Sequence, residues 1–179
     1  VHREERYRSV QALPSAAVAR DPSGDLELTT IDGEKRTVAE WLTNFHLLVV
    51  CLDPYTSESA WVLDTGERIL TVFQEADVRV SWLATSDAQG ARTFLGPLSR
   101  RFLTFADPDR VAIKGMGLER LPALVWLKTD LTIGGAAEGW DPHEWKAVCD
   151  KLAEVMSWKG PLIPERHDPA AFAGTPAAG

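Results

Sequence analysis

Six consecutive apolar residues, Leu47-Leu48-Val49-Val50-Cys51-Leu52, run straight into Asp53-Pro54-Tyr55. Successive side chains of a strand point to opposite faces of its sheet, so a strand without a polar residue reads as central, with helices on both faces. The Asp-Pro pair ends it. Thr56-Ser57-Glu58-Ser59 then opens a helix that the apolar spacing carries from about 57 to 75, with Leu63, Leu70 and Phe73 among its buried residues. Thr56 and Ser57 are natural N-cap residues for it, and Gly66 weakens its middle.

Local signals place the other elements around this centre. Leu26–Ile31 alternates and ends at Asp32-Gly33, a strong hairpin turn pair. Thr37-Val38-Ala39-Glu40 is a capping box and predicts a short helix to about Asn44, with Trp41 and Leu42 inward. Val78–Ala84 is the next strand, and residues 88–101 are helical with a break at Gly96-Pro97. Phe102–Phe105 is extended. Asp107-Pro108 pairs an N-cap with a first-turn proline and opens a helix to about Met116. Strands follow at 122–128 and 131–138, where Gly134-Gly135 predicts a bulge or the close approach of another backbone. Asp141-Pro142-His143-Glu144 caps a last helix with the stripe Trp145, Val148, Cys149, Leu152 and Met156, ending at Gly160-Pro161. A parallel crossover followed by an antiparallel pair makes an α/β sandwich.

This order resembles the thioredoxin superfamily, and the N-terminal hairpin and helix lean toward its redoxin and peroxiredoxin branch. The resemblance is carried by the strand-turn-helix at 47–63, by Leu121-Pro122 ahead of an apolar strand, and by a hairpin leading to a capped helix. It implies a thioredoxin-like α/β/α sandwich with a central mixed sheet over residues 26–160. An N-terminal arm (1–25) and a Pro/Ala-rich C-terminal tail (161–179) with little to bury would flank it. It also implies that the Leu121–Pro122 bond is cis and lies close to Thr56–Ser59. Tyr55, Thr56, Leu121 and Pro122 would then line a peptide groove.

The family's chemistry does not carry over. A Cys-x-x-Cys pair at a helix start works because the helix N-terminus lowers the thiol pKa. Thr56 and Ser59 take those two places, with Ser57 and Glu58 between, and their hydroxyls form neither thiolates nor disulfides. The buried carboxylate that assists thioredoxins falls on Val50. In the peroxiredoxin register, Pro-x-x-x-Thr-x-x-Cys becomes Leu52, Thr56 and Ser59. No catalytic residue is assigned to this turn.

The two cysteines, Cys51 and Cys149, lie on apolar stretches, where a thiol is usually a small buried hydrophobe. A redox role for either, or a disulfide between them, stays open. The histidines, His2, His46, His143 and His167, are scattered and suggest no metal site, and no cofactor is implied. Trp41, Trp82, Trp126 and Trp145 fit core positions. Trp61, Trp140 and Trp158 are less easily placed; exposed, they would be interface anchors, but for each taken singly the expectation is that it completes the core.

A net charge of −7 argues against nucleic acid as a partner. No apolar run approaches the roughly 20 residues of a membrane helix, so no membrane insertion is expected. The opening residues, Val1-His2-Arg3-Glu4-Glu5-Arg6, lack the apolar core of a signal peptide. The expectation is a cytoplasmic, bacterial protein. Its function would be to bind other proteins as a non-catalytic accessory or assembly factor, chaperone or structural subunit. Some cysteine-free relatives in the superfamily mature metalloenzymes in this way. The alternative is an atypical redoxin, a thiol oxidoreductase or peroxidase, that uses Cys51 or Cys149.

Overall fold

The structure, a computed structural model, describes residues 19–179. Most of the arm expected at 1–25, and His2 with it, lies outside the described residues. In chain order the elements are β1 (Glu27–Thr30), β2 (Lys35–Thr37), α1 (Val38–Trp41), β3 (Leu47–Leu52), α2 (Ser57–Trp61), α3 (Leu63–Gln74) and β4 (Arg79–Ala84). There follow α4 (Ala88–Leu95), α5 (Leu98–Arg101), β5 (Leu103–Ala106), α6 (Val111–Gly115), β6 (Arg120–Leu121), β7 (Ala123–Leu127), β8 (Ile133–Glu138), α7 (Pro142–Val155) and β9 (Thr175–Pro176). Seven strands form one mixed sheet in the order β2-β1-β5-β4-β3-β7-β8, and β6 pairs separately with β9.

The central strand β3 runs parallel to β4 and antiparallel to β7, so its backbone is paired on both edges. Its side chains divide two cores. Leu48, Val50 and Leu52 pack with Ile69, Leu70 and Phe73 of α3 and with Trp145, Val148 and Leu152 of α7. Leu47, Val49 and Cys51 pack on the opposite face with Trp41, Leu42, Ala112 and Ile113. The result is the three-layer sandwich that an all-apolar central strand demands.

Several elements differ from their sequence signals for identifiable reasons. The long helix after β3 is two helices, because Val62, fully buried, leaves helical geometry at φ −103° and ψ 8°. Gly66 costs helix propensity but makes room for the neighbouring strand, since a Cβ there would lie 2.7 Å from the Trp82 ring. Asp107 does cap α6, its carboxylate accepting the Ala112 and Ile113 N–H groups at 3.2 and 3.1 Å. The helix nevertheless starts four residues later than Asp107, after Arg110 in the left-handed region (φ 59°). At Gly134 the close neighbour is the Trp126 indole, 2.5 Å from where a Cβ would stand, rather than a backbone. The strand register shifts at the same place, between Trp126 and Leu127. Trp140 completes the core as expected, whereas Trp61 and Trp158 are 54% and 42% exposed and depart from the core reading.

Residues 161–179 pack against the domain despite their composition. Ile163 and Ala177 are buried. The Asp168 carboxylate accepts the Thr65 hydroxyl at 2.5 Å and both Arg68 nitrogens, at 3.1 and 2.6 Å. Burial alone would raise the Asp168 pKa, but the hydrogen bonds from Arg68, Thr65 and the Glu165 N–H hold it below the ordinary carboxylate value.

Two stability predictions follow from these contacts. Gly66→Ala gains about 1 kcal/mol of helix propensity but overpacks Trp82 at a typical cost of about 1–3 kcal/mol. Urea denaturation should therefore show a net loss. His46 accepts the Trp126 indole N–H through Nδ1 at 3.1 Å, and burial, then Lys128, lower its pKa. The unfolded chain thus binds the proton more readily. This contribution is complete above the unfolded value of about 6.5 and is lost as pH falls below it. Wild-type Tm should drop more than that of His46→Gln between pH 7.5 and 5.5.

Candidate functional site

The turn after β3 stands at the end of the sheet where two neighbouring strands also turn. The Leu52 carbonyl accepts the Thr85 N–H at 3.0 Å, which closes the β3 and β4 ends together. On the other side, the antiparallel pair Cys51–Ala123 places Pro122 one residue beyond the paired strands, beside the start of the 53–59 turn. The Leu121–Pro122 peptide is cis, and both residues are buried.

Inside the turn the Asp53, Thr56 and Ser59 side chains are engaged locally. Thr56 takes the N-cap position of α2 with extended backbone (φ −121°, ψ 144°), yet its side chain accepts no helix N–H. The Thr56 hydroxyl donates instead to the Asp53 carbonyl at 3.0 Å. Ser59 is fully buried, and its Oγ accepts the Asp53 N–H at 2.8 Å. The two hydroxyl oxygens lie 3.4 Å apart. Thr56 and Ser59 therefore fasten the turn. Ser57 is exposed and Glu58 is half-buried.

Asp53 and Arg110 complete the arrangement, and the sequence reading missed both. Asp53 Oδ1 accepts the Tyr55 N–H at 3.0 Å. Its Oδ2 pairs with Arg110 Nη2 at 3.0 Å, with side chains only 4% and 14% exposed. Arg110 Nη1 also donates to the Ala177 carbonyl at 2.6 Å. One guanidinium thus joins the turn, the start of α6 and residues near the end of the chain. Position 53, directly after a buried strand, was the available signal. Its partner 57 residues away carried none. Around this polar knot, Tyr55 and Trp61 are 74% and 54% exposed, and Trp61 meets Phe172 edge-on at 5.3 Å.

Both cysteines are free and buried. Burial, then the nearby Asp107 and Glu138 charges, push the Cys51 thiol far up. Burial, then Asp150, push Cys149 up to about 12. Cys51 belongs to the core on the α6 side and Cys149 to the core on the α7 side. The sheet separates them, which removes the disulfide that the sequence left open. Among the described residues no three His, Cys, Asp or Glu side chains gather to hold a metal. No helix among them is long and apolar enough to cross a membrane.

A mixed sheet between helical layers, with a strand-turn-helix beside a cis-proline, is a thioredoxin-like fold. No protein-family model and no curated protein sequence matches the chain. Solved structures do. A secreted disulfide oxidoreductase of Mycobacterium tuberculosis, described as homologous to Escherichia coli DsbE, is 18% identical with a TM-score of 0.55 over 74% of this chain and 95% of that one. PrxQ of Xylella fastidiosa, solved as a point mutant, is 16% identical with a TM-score of 0.60, covering 79% of this chain and 99% of its own. A hypothetical protein of Sinorhizobium meliloti is 13% identical with a TM-score of 0.64, covering 92% and 96%. The first of these corrects the cytoplasmic expectation. A protein of this fold is secreted, so acidic composition and a polar opening stretch do not assign the chain to the cytoplasm.

If Thr56 and Ser59 are spatial stand-ins for a dithiol, Thr56→Cys combined with Ser59→Cys should oxidise to an intramolecular disulfide. Alkylation in denaturant followed by mass spectrometry reads the result, and retention of every thiol refutes the equivalence. Ser59→Ala alone strands the buried Asp53 N–H and should cost about 1–3 kcal/mol of stability.

Proposed function

We propose that this is a thioredoxin-like protein that works by binding other proteins rather than by thiol chemistry, as an accessory or assembly factor or a structural subunit. One observation carries the reading. Where the fold would need a nucleophile, the Thr56 and Ser59 hydroxyls are consumed in hydrogen bonds to the Asp53 backbone. The exposed aromatic rings of Tyr55 and Trp61 flank that turn, and large aromatic side chains are favoured anchors at protein interfaces. The secreted status of the M. tuberculosis protein supports a setting outside the cytoplasm.

A second reading has its own support. The similar structures include a disulfide oxidoreductase and a protein named PrxQ. They lean toward an atypical thiol enzyme that uses Cys51 or Cys149. Against it stand the complete burial of both thiols and their raised pKa values, because the thiolate is the reactive form.

Two measurements separate the readings. Disulfide-reductase and peroxidase assays on the wild type, Cys51→Ala and Cys149→Ala should show no cysteine-dependent turnover. Activity lost in either variant establishes the thiol enzyme instead. A photo-crosslinking residue placed at Tyr55 or Trp61 should capture a stoichiometric partner from the host, and Tyr55→Ala with Trp61→Ala should weaken its retention at least tenfold. Capture that ignores both substitutions removes this face from the interface.

A further inference from the structure

Residues 172–177 cross the end of the sheet from one core to the other, directly over the proposed site. Phe172 exchanges both backbone hydrogen bonds with Trp140, at 2.9 and 3.0 Å. Its ring packs against the α7-side core and stands edge-on to Trp61. The strand β9 then pairs antiparallel with β6, matching Thr175 to Leu121 and Pro176 to Arg120. The Ala177 N–H donates to the Glu119 carbonyl at 2.8 Å, and the Ala177 side chain is buried in the α6-side core at 1% exposure. Arg110, already paired with Asp53, takes the Ala177 carbonyl.

This contact has the form of a bound peptide. Backbone pairing along a short edge supplies adhesion, and separate side-chain positions supply selectivity. Three positions discriminate. Position 172 presents an aromatic ring to Trp61. Position 174 admits only glycine, since it has φ 83° and a Cβ would stand 2.6 Å from the Leu121 carbonyl oxygen. Position 177 holds a methyl group in a closed space.

The attachment of 172–177 is separable from that of the residues before it. Asp168 is locked by Arg68 and Thr65, and the Pro169 carbonyl accepts the Trp140 indole N–H at 2.8 Å. Ala170 and Ala171 between the two attachments are exposed, small and available as a hinge.

We propose that residues 172–177 are a built-in ligand held in a strand-accepting groove formed by Trp61, Arg110 and Glu119–Leu121. By hinging at Ala170–Ala171 they yield this groove to an extended segment of a partner protein. That segment carries an aromatic residue, a glycine and an alanine at the spacing of 172, 174 and 177. The inference rests on the protein-binding reading and names the site and ligand chemistry for it. A tethered ligand competes at high effective concentration. The wild type therefore binds an added segment with an affinity reduced by the fraction of molecules whose groove is open.

The test is a fluorescence-anisotropy titration of full-length chains with a labelled peptide of residues 170–179. Ala177→Lys places a cation in the methyl site beside Arg110, and Gly174→Val clashes with Leu121. Each releases the tethered segment while leaving the groove residues intact. Both variants should bind the peptide at least tenfold more tightly than the wild type, and a peptide carrying Gly174→Val should not bind. Equal affinity in wild type and variants, or no binding to any of them, overturns the proposal.

Amide exchange of the wild type is read alongside, whether or not the variants fold. The Phe172 and Ala177 amides should exchange at least a hundredfold faster than those of β7, and equal protection overturns the hinge. A failed titration leaves partner capture at Tyr55 and Trp61 unaffected as evidence for binding in general. Loss of that capture with a successful titration leaves the groove standing.

Discussion

The burial of β3 on both faces and both edges organises the molecule. A strand with no polar residue has no stable place except the middle of a sheet with a helical layer on each side. Once it is there, its alternate side chains define two cores that never mix, Leu48, Val50 and Leu52 on one face and Leu47, Val49 and Cys51 on the other. Its end is equally constrained. The chain must leave the sheet between the ends of β4 and β7, so the 53–59 turn is delivered to the cis-proline whatever chemistry it carries.

What the turn carries is a fastening built of hydroxyls. The Ser59 hydroxyl accepts the buried Asp53 N–H, as a thiol would do only weakly. Asp53 and Arg110 extend the knot in a direction the turn alone does not reach. An ion pair so little exposed needs its remaining donors satisfied, and the Ala177 carbonyl meets part of that need. The same group that steadies the turn thereby receives the end of the 161–179 segment.

Legibility in the sequence tracked the range of the interaction. The hairpin at Asp32-Gly33, the Thr37–Glu40 capping box and the Asp141 cap are settled by neighbours a few residues apart, and each stands where the local pattern puts it. The division of the helix at Val62, the room Gly66 makes for Trp82 and the burial of Trp140 depend on surfaces brought together only by the fold. The candidate site divides in the same way. Its turn was visible because strand, turn and helix are contiguous. The Asp53–Arg110 pair and the Asp168–Arg68 clasp join residues 57 and 100 positions apart, and no local pattern announces them. Composition misled most at 161–179, where a few well-placed residues, Ile163, Asp168, Phe172 and Ala177, suffice to hold a segment otherwise built of small ones.

The placement of the two thiols on opposite faces of the sheet has a consequence for where such a chain can operate. Strand β3 and its neighbours stand between Cys51 and Cys149, so the intact fold contains no internal crosslink to make or to lose. Oxidants and reductants in solution reach neither sulfur without opening a core. The native state is therefore covalently the same in an oxidising compartment as in a reducing one. A chain assembled in one and delivered to the other would arrive with its fold unaltered.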